Sequence, residues 1–302
     1  MGKRITYIML FLLLSFLQTY AQEYSLKLGK VTKDELEMTS YPKDTAANAV
    51  VLFKQGCIYY DYRGEDFKLG CEYENKIKIL KAEGTEYANV IIPFYSDANT
   101  SGSKEMVSKI EAYAYNMENG KIVKTKMNKS YIFEERVSDK WKQIKFSIPS
   151  VKAGTVIEYH YKITSDFYYQ LPNWDIQQDI PVVYAYFEAK IPEYFKFTVD
   201  TRGYEPVKAE DTFDSQLFIL NVPGGRQESV QCTCRKLCFT SKDVPALKDD
   251  KYVWCFTVFM SHVDFELNGI QFPYSIYKSY NTTWEDIELN LIGSDYFGSY
   301  LS

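Results

Sequence analysis

From Ala49 onward the sequence is a succession of short apolar or aromatic runs broken by Gly and charged residues, and that spacing narrows the fold more than any other feature. Ala49 to Phe53, Ile58 to Tyr62, Lys76 to Leu80 and Ala88 to Ile92 each read as a strand. The first is continuously apolar and predicts burial on both faces, whereas the polar-apolar alternation opening Lys76 to Leu80 predicts a half-buried strand. Asn119-Gly120 sits between the runs Ile110 to Tyr115 and Lys121 to Met127 and supplies the positive φ values of a type I′ hairpin turn. In Val156 to Thr164, Ile157, Tyr159, Tyr161 and Ile163 fall on one side, with Glu158, His160 and Lys162 on the other. Further strands are expected at Lys142 to Ile148, Val183 to Ile191, Phe195 to Asp200, Gln216 to Val222 and Tyr252 to Leu267, the last broken in two. With 27 Tyr and 19 Phe against 15 Gly, composition also favours strands. The expected fold class is mainly β, an antiparallel β-sandwich with short helices in the N-terminal arm and at the C-terminal end.

Those helices rest on capping signals. Thr32-Lys33-Asp34-Glu35 has the form of a capping box and predicts a helix through about Met38, which Pro42 bars from extending. Thr282-Thr283-Trp284-Glu285 repeats the pattern ahead of Ile287, Leu291 and Ile292. Ahead of the arm, Lys3 and Arg4 precede an apolar run from Ile5 to Leu17 and a small-residue exit at Ala21, the plan of a secretory signal peptide. That run falls short of the roughly 20 residues that span a bilayer. No membrane span is expected after cleavage, and the mature chain is expected in the periplasm or at the cell surface, starting at Gln22. The organisation expected is a signal peptide (1–21), an arm with a short helix (22–48), a β-sandwich domain (49–223), a joint at Pro223-Gly224-Gly225, a β-rich extension (224–280) and a new helical element (281–302).

Removing Lys3 and Arg4 leaves 33 basic against 40 acidic side chains, a formal charge of −7. The basic residues are interleaved with Asp and Glu, so nucleic acid is excluded as a partner. Six cysteines in an exported chain permit disulfides. Cys57 and Cys71 flank a Tyr-rich strand and a turn at Gly64 and are the candidate bridge, with reduced structural thiols as the alternative. Cys232, Cys234 and Cys238 lack zinc-knuckle spacing and a nearby His. The two histidines, His160 and His262, lie on polar strand faces. Asp264 and Glu266 beside His262 have metal-ligand chemistry, but a solvated strand face accounts for them. Neither a nucleophile motif nor a Gly-rich phosphate loop is present, so no catalytic, cofactor or metal residue is assigned. The densest aromatic stretch, Phe167 to Trp174, offers Tyr168, Tyr169 and Trp174 as a contact surface for a peptide or glycan, against the alternative that the rings fill the core.

Six segments in order carry a resemblance: Lys30 to Leu36, Asn119 to Lys124, Val156 to Tyr159, Leu171 to Trp174, Ile191 to Phe195 and Asp243 to Leu247. Together they resemble exported bacterial proteins with the domain of unknown function 3857. In such proteins the β-rich domain precedes a transglutaminase-like domain of the papain-like Cys-His-Asp class. The resemblance implies that 281–302 opens such a domain, which the chain truncates, and that none of the triad lies here. Cys232, Cys255 and His262 precede the lead-in and do not inherit the role. The expected function is a noncatalytic exported accessory or binding domain that contacts a partner domain, a peptide or a glycan. The alternative is the N-terminal fragment of a transglutaminase-like enzyme.

Overall fold

The computed structural model describes residues 27–63, 66–97, 102–222, 225–248, 255–273, 275–280 and 284–292. The expected signal peptide and the capping residues Thr282 and Thr283 lie outside them. The described residues are mainly β, built of three mostly antiparallel sheets with few helices.

The strands are β1 (Ala49–Arg63), β2 (Asp66–Ile79), β3 (Asn89–Tyr95), β4 (Glu105–Glu118), β5 (Lys121–Lys126), β6 (Ile132–Arg136), β7 (Trp141–Ser147), β8 (Val156–Ser165), β9 (Trp174–Asp175), β10 (Val182–Pro192), β11 (Phe195–Arg202), β12 (Lys208–Val222), β13 (Arg226–Val244), β14 (His262–Ile270) and β15 (Lys278–Ser279). The largest sheet runs β12-β13-β10-β1-β2-β8-β4-β5. Every neighbouring pair in it is antiparallel except β1 and β10, which run parallel. A four-stranded sheet joins β11, β14 and β15 with β9 on β14, and β3-β7-β6 forms a third. One core draws on all three, with Ile58, Ile77 and Phe187 from the large sheet, Phe195 and Val263 from the second, and Ile92 and Phe146 from the third.

Two expected strands merge in β1. A bulge between Val51 and Phe53 shifts the alternation by one residue. Ala49 and Val51 face the main core before it, and Ile58 and Tyr60 face it afterwards. Val50 and Leu52 pack instead against Met38 and Tyr41 of the arm. Between β4 and β5, Asn119 (φ 49°) and Gly120 (φ 74°) make the expected turn.

The arm corrects the expected half-burial of β2. Helix α1 (Lys33–Glu37) carries both bonds of its capping box: Glu35 N donates to Thr32 Oγ1, and Thr32 N to Glu35 Oε2 at 2.8 Å. The arm lies over the polar face of β2 and β8, so Lys76, Lys78 and Glu158, which alternation sends to solvent, are all buried. Lys76 Nζ lies 3.3 Å from Glu35 Oε1 and 3.4 Å from Glu158 Oε1 and donates to Lys30 O at 2.8 Å. Glu158 Oε2 accepts from Gly29 N and the Tyr115 hydroxyl. Lys78 Nζ donates to Leu36 O and Gly154 O, and burial lowers its pKa to about 8 against the raising charge of Glu35.

The joint expected at 223–225 falls between two strands that pair with each other in the large sheet. Pro223 and Gly224 are outside the described residues, but Val222 pairs with Arg226 and the ladder runs unbroken to Lys208 and Thr240. The expected extension supplies β13 to β10 and β14 to β11, so it is integral to both sheets. Within the expected strand from Tyr252 to Leu267, Phe256–Phe259 is a 3-10 turn and the strand begins at His262. At the C-terminal end, α2 (Trp284–Ile292) leaves Trp284, Leu291 and Ile292 exposed.

Candidate functional site

On the face of β2 and β8 opposite the arm, and at their other end, a groove of about 660 Å³ opens, a size within the range of ligand sites. Leu69, Cys71 and Ile163 line its strand side, with Tyr73 beside them. Tyr95 at the end of β3 and Trp141 at the start of β7 are register partners and contribute one part of the lining. The segment after β8, with Phe167, Tyr169, Pro172 and Asn173, contributes another.

That segment is fixed at its root. Asp166 accepts from Lys68 Nζ at 2.8 Å and from Lys104 N at 3.0 Å, while Asp166 N donates to Lys104 O. Burial pushes the Asp166 carboxyl up, but Lys68 and the Lys104 amide outweigh it and hold the carboxyl below its usual range. Phe167 N donates to Ser165 Oγ, and the Tyr60 hydroxyl to Tyr168 O. The rings then meet edge to face in series: Trp141 with Tyr95 at 83°, Tyr95 with Phe167 at 90° and Phe167 with Tyr169 at 86°. Trp141 and Tyr169 remain exposed at 46% and 43%.

The expected aromatic surface is therefore divided. Tyr169 belongs to the groove. Tyr168 packs on Phe67, Phe195 and Phe272. Trp174 is buried, stacked on Phe187 at 5.0 Å with Lys54 Nζ 4.6 Å from its ring centroid. Its approach needs Gly56, where a Cβ would come within 2.7 Å of both the Trp174 and Phe187 rings. Tyr95, Trp141 and Glu105 were not identified from the sequence, because each is isolated there and only strand pairing gathers them.

Among the described residues Glu105 is the single charged side chain lining the groove, and its Oε2 accepts from Tyr95 N at 2.9 Å. The one thiol is Cys71. Burial, and then the Glu105 charge, push that thiol up to about 12, which favours its protonated form at neutral pH. The expected bridge to Cys57 does not form. Cys71 pairs with Ile58 and Cys57 with Glu72, so the two side chains point to opposite faces of the sheet. Among the described residues no disulfide joins any of the six cysteines. Cys57 lies in a row with Glu188 and Cys238 on the other face, and burial followed by Glu188 raises it to about 11.

Neither histidine approaches the groove. His160 pairs with Glu74 and Glu111 on the face away from Cys71. His262 Nδ1 lies 2.7 Å from Met260 O, its Nε2 lies 3.2 Å from Asp264 Oδ1, and Arg202 Nε lies 2.9 Å from Asp264 Oδ2. Among the described residues no group of three His, Cys, Asp or Glu side chains is placed to hold a metal ion, and no helix is long and apolar enough to cross a membrane.

Comparison with known proteins places this geometry in a wider set. The model of DUF3857, a domain of unknown function with a solved structure, matches residues 65–217. A crystal structure from Parabacteroides distasonis ATCC 8503, described as "a putative protease", is similar with a TM-score of 0.54 at 14% identity. The match covers 83% of this chain and 45% of that one, so this chain spans less than half of that protein's length. No curated protein matches the chain.

Proposed function

The chain belongs to the DUF3857 family, and from that premise we propose that it is a noncatalytic β-sandwich accessory domain of an exported protein, binding a peptide, a glycan or a partner domain through the ring-lined groove. The observation that carries this reading is the groove itself. It presents two exposed rings and a preset carboxylate around a thiol held protonated, with both histidines elsewhere. A groove so lined suits recognition, since burial and the Glu105 charge hold its thiol protonated and neither histidine faces it. The fold shared with part of a longer chain described as "a putative protease" supports its use as one module of a larger protein.

A second reading, the N-terminal part of a transglutaminase-like enzyme, is favoured by α2, whose exposed Trp284, Leu291 and Ile292 suit contact with a following domain. One experiment serves both. The purified chain and its Tyr169→Ala and Trp141→Ala variants are applied to peptide and glycan arrays and assayed for amide hydrolysis and transamidation. Binding that both variants lose, without turnover, is the expected result. Turnover by the chain alone that Cys71→Ser abolishes would end the noncatalytic reading.

A further inference from the structure

We infer, on the basis of the binding reading above, that the groove takes an extended, proline-rich polypeptide carrying a basic side chain opposite Glu105, and not a sugar. The ring geometry comes first. A pyranose is held by stacking its flat face on one broad exposed ring, whereas Trp141, Tyr95, Phe167 and Tyr169 turn by 83°, 90° and 86° from each ring to the next. Rings in edge-to-face contact leave no room between them, so the surface offered to a ligand is that of the exposed ends of the series, Trp141 and Tyr169. An aromatic-lined groove of this kind receives compact apolar groups such as the pyrrolidine of proline, spaced along a polyproline II segment that is already extended before binding.

Charge is the second observation. Among the described residues no Lys or Arg lines the groove, and the one ionic group there, Glu105, is oriented by the Tyr95 amide at 2.9 Å. A carboxylate on an otherwise neutral wall attracts a guanidinium or ammonium and repels uronic acids, phosphates and acidic peptides. The amide side chains of Gln170 and Asn173 in the lining offer donors and acceptors to the main chain of an extended ligand. Because Asp166 pins the root of their segment through Lys68 and Lys104, the site is set before the ligand arrives.

The test is titration calorimetry with four probes: a short proline-rich peptide with one central arginine, the same peptide with glutamate there, cellohexaose and chitohexaose. The arginine peptide is expected to bind and the glutamate peptide to bind at least about tenfold more weakly. Glu105→Gln keeps an oxygen for the Tyr95 amide while removing the charge. It should weaken the arginine peptide about tenfold and close the gap between the two peptides, with the thermal midpoint unchanged. Binding of an oligosaccharide but neither peptide would overturn the polypeptide assignment and leave the binding reading standing. Binding of no probe would overturn both. An arginine peptide that ignores Glu105→Gln would remove the basic side chain from the inference.

Discussion

The two ends of β2 and β8 treat water in opposite ways. Under the arm, lysines and carboxylates are sealed from solvent, the lysines held by ion pairs and by backbone carbonyls. At the groove, aromatic rings stand partly in water around a single carboxylate. A buried ion cluster costs desolvation that its internal attraction only roughly offsets, so its use is to fix where the arm sits. Exposed rings likewise forgo burial that the core could have given them. The arm end holds the chain in place, and the groove end is left unfilled for something else.

Four measurements sharpen or break that contrast. Trp174→Ala, in the core between the two ends, should cost about 4 kcal/mol and lower the urea midpoint accordingly. A change below about 1 kcal/mol would mean that the Trp174–Phe187 stack contributes little. Lys76→Met strands the Glu35 and Glu158 carboxylates and should cost about 3 kcal/mol. Protease cleavage should then appear first in residues 27–48, and a variant as stable as the parent would show that the arm is held by its apolar contacts alone.

The third effect is smaller and depends on pH. Burial lowers Lys54 and Lys78 to about 8 from 10.5, so between those values the unfolded chain holds protons that the folded chain has shed. Stability should therefore rise with pH, by about 1 kcal/mol per lysine between pH 7 and 9. Above that range Cys57 and Cys71 oppose it, because the folded thiols stay protonated while unfolded thiols ionise. Melting scans of the parent and of Lys54→Met and Lys78→Met should show each variant losing its share, and a flat parent profile would discard the effect. Smallest of all, Tyr169→Ala should change stability by less than about 0.5 kcal/mol. A larger loss would make Tyr169 a packing residue and the two ends of the sheet alike.

What the sequence makes legible is local. The Asn119-Gly120 turn needs only the positive φ that those residues tolerate, and the Thr32–Glu35 box is closed within four residues. Alternation gave the two faces of β2 and β8 but not what covers them. Lys76, Lys78 and Glu158 read as solvated because the arm that buries them lies far away in sequence. Gly and Pro at 223–225 punctuate a hairpin as readily as a domain joint, and only the ladder from Val222–Arg226 back to Lys208–Thr240 separates the two. The groove was half visible. Tyr169 stood out in an aromatic run, whereas Tyr95 and Trp141 become neighbours only when β3 pairs with β7.

The parallel step between β1 and β10 governs how this molecule can be cut and how it must assemble. Val51 pairs with Val182, and β10 is flanked on its other side by β13, so its two neighbours come from distant parts of the chain. Closing such long loops before any contact rewards them slows folding, to milliseconds or seconds in small β-rich domains. The stretch that matches the family model, residues 65–217, omits both β1 and β13. A fragment excised at those borders would carry β10 with two open edges, a template for aggregation, whereas one running from the arm through Ile270 keeps both flanking strands.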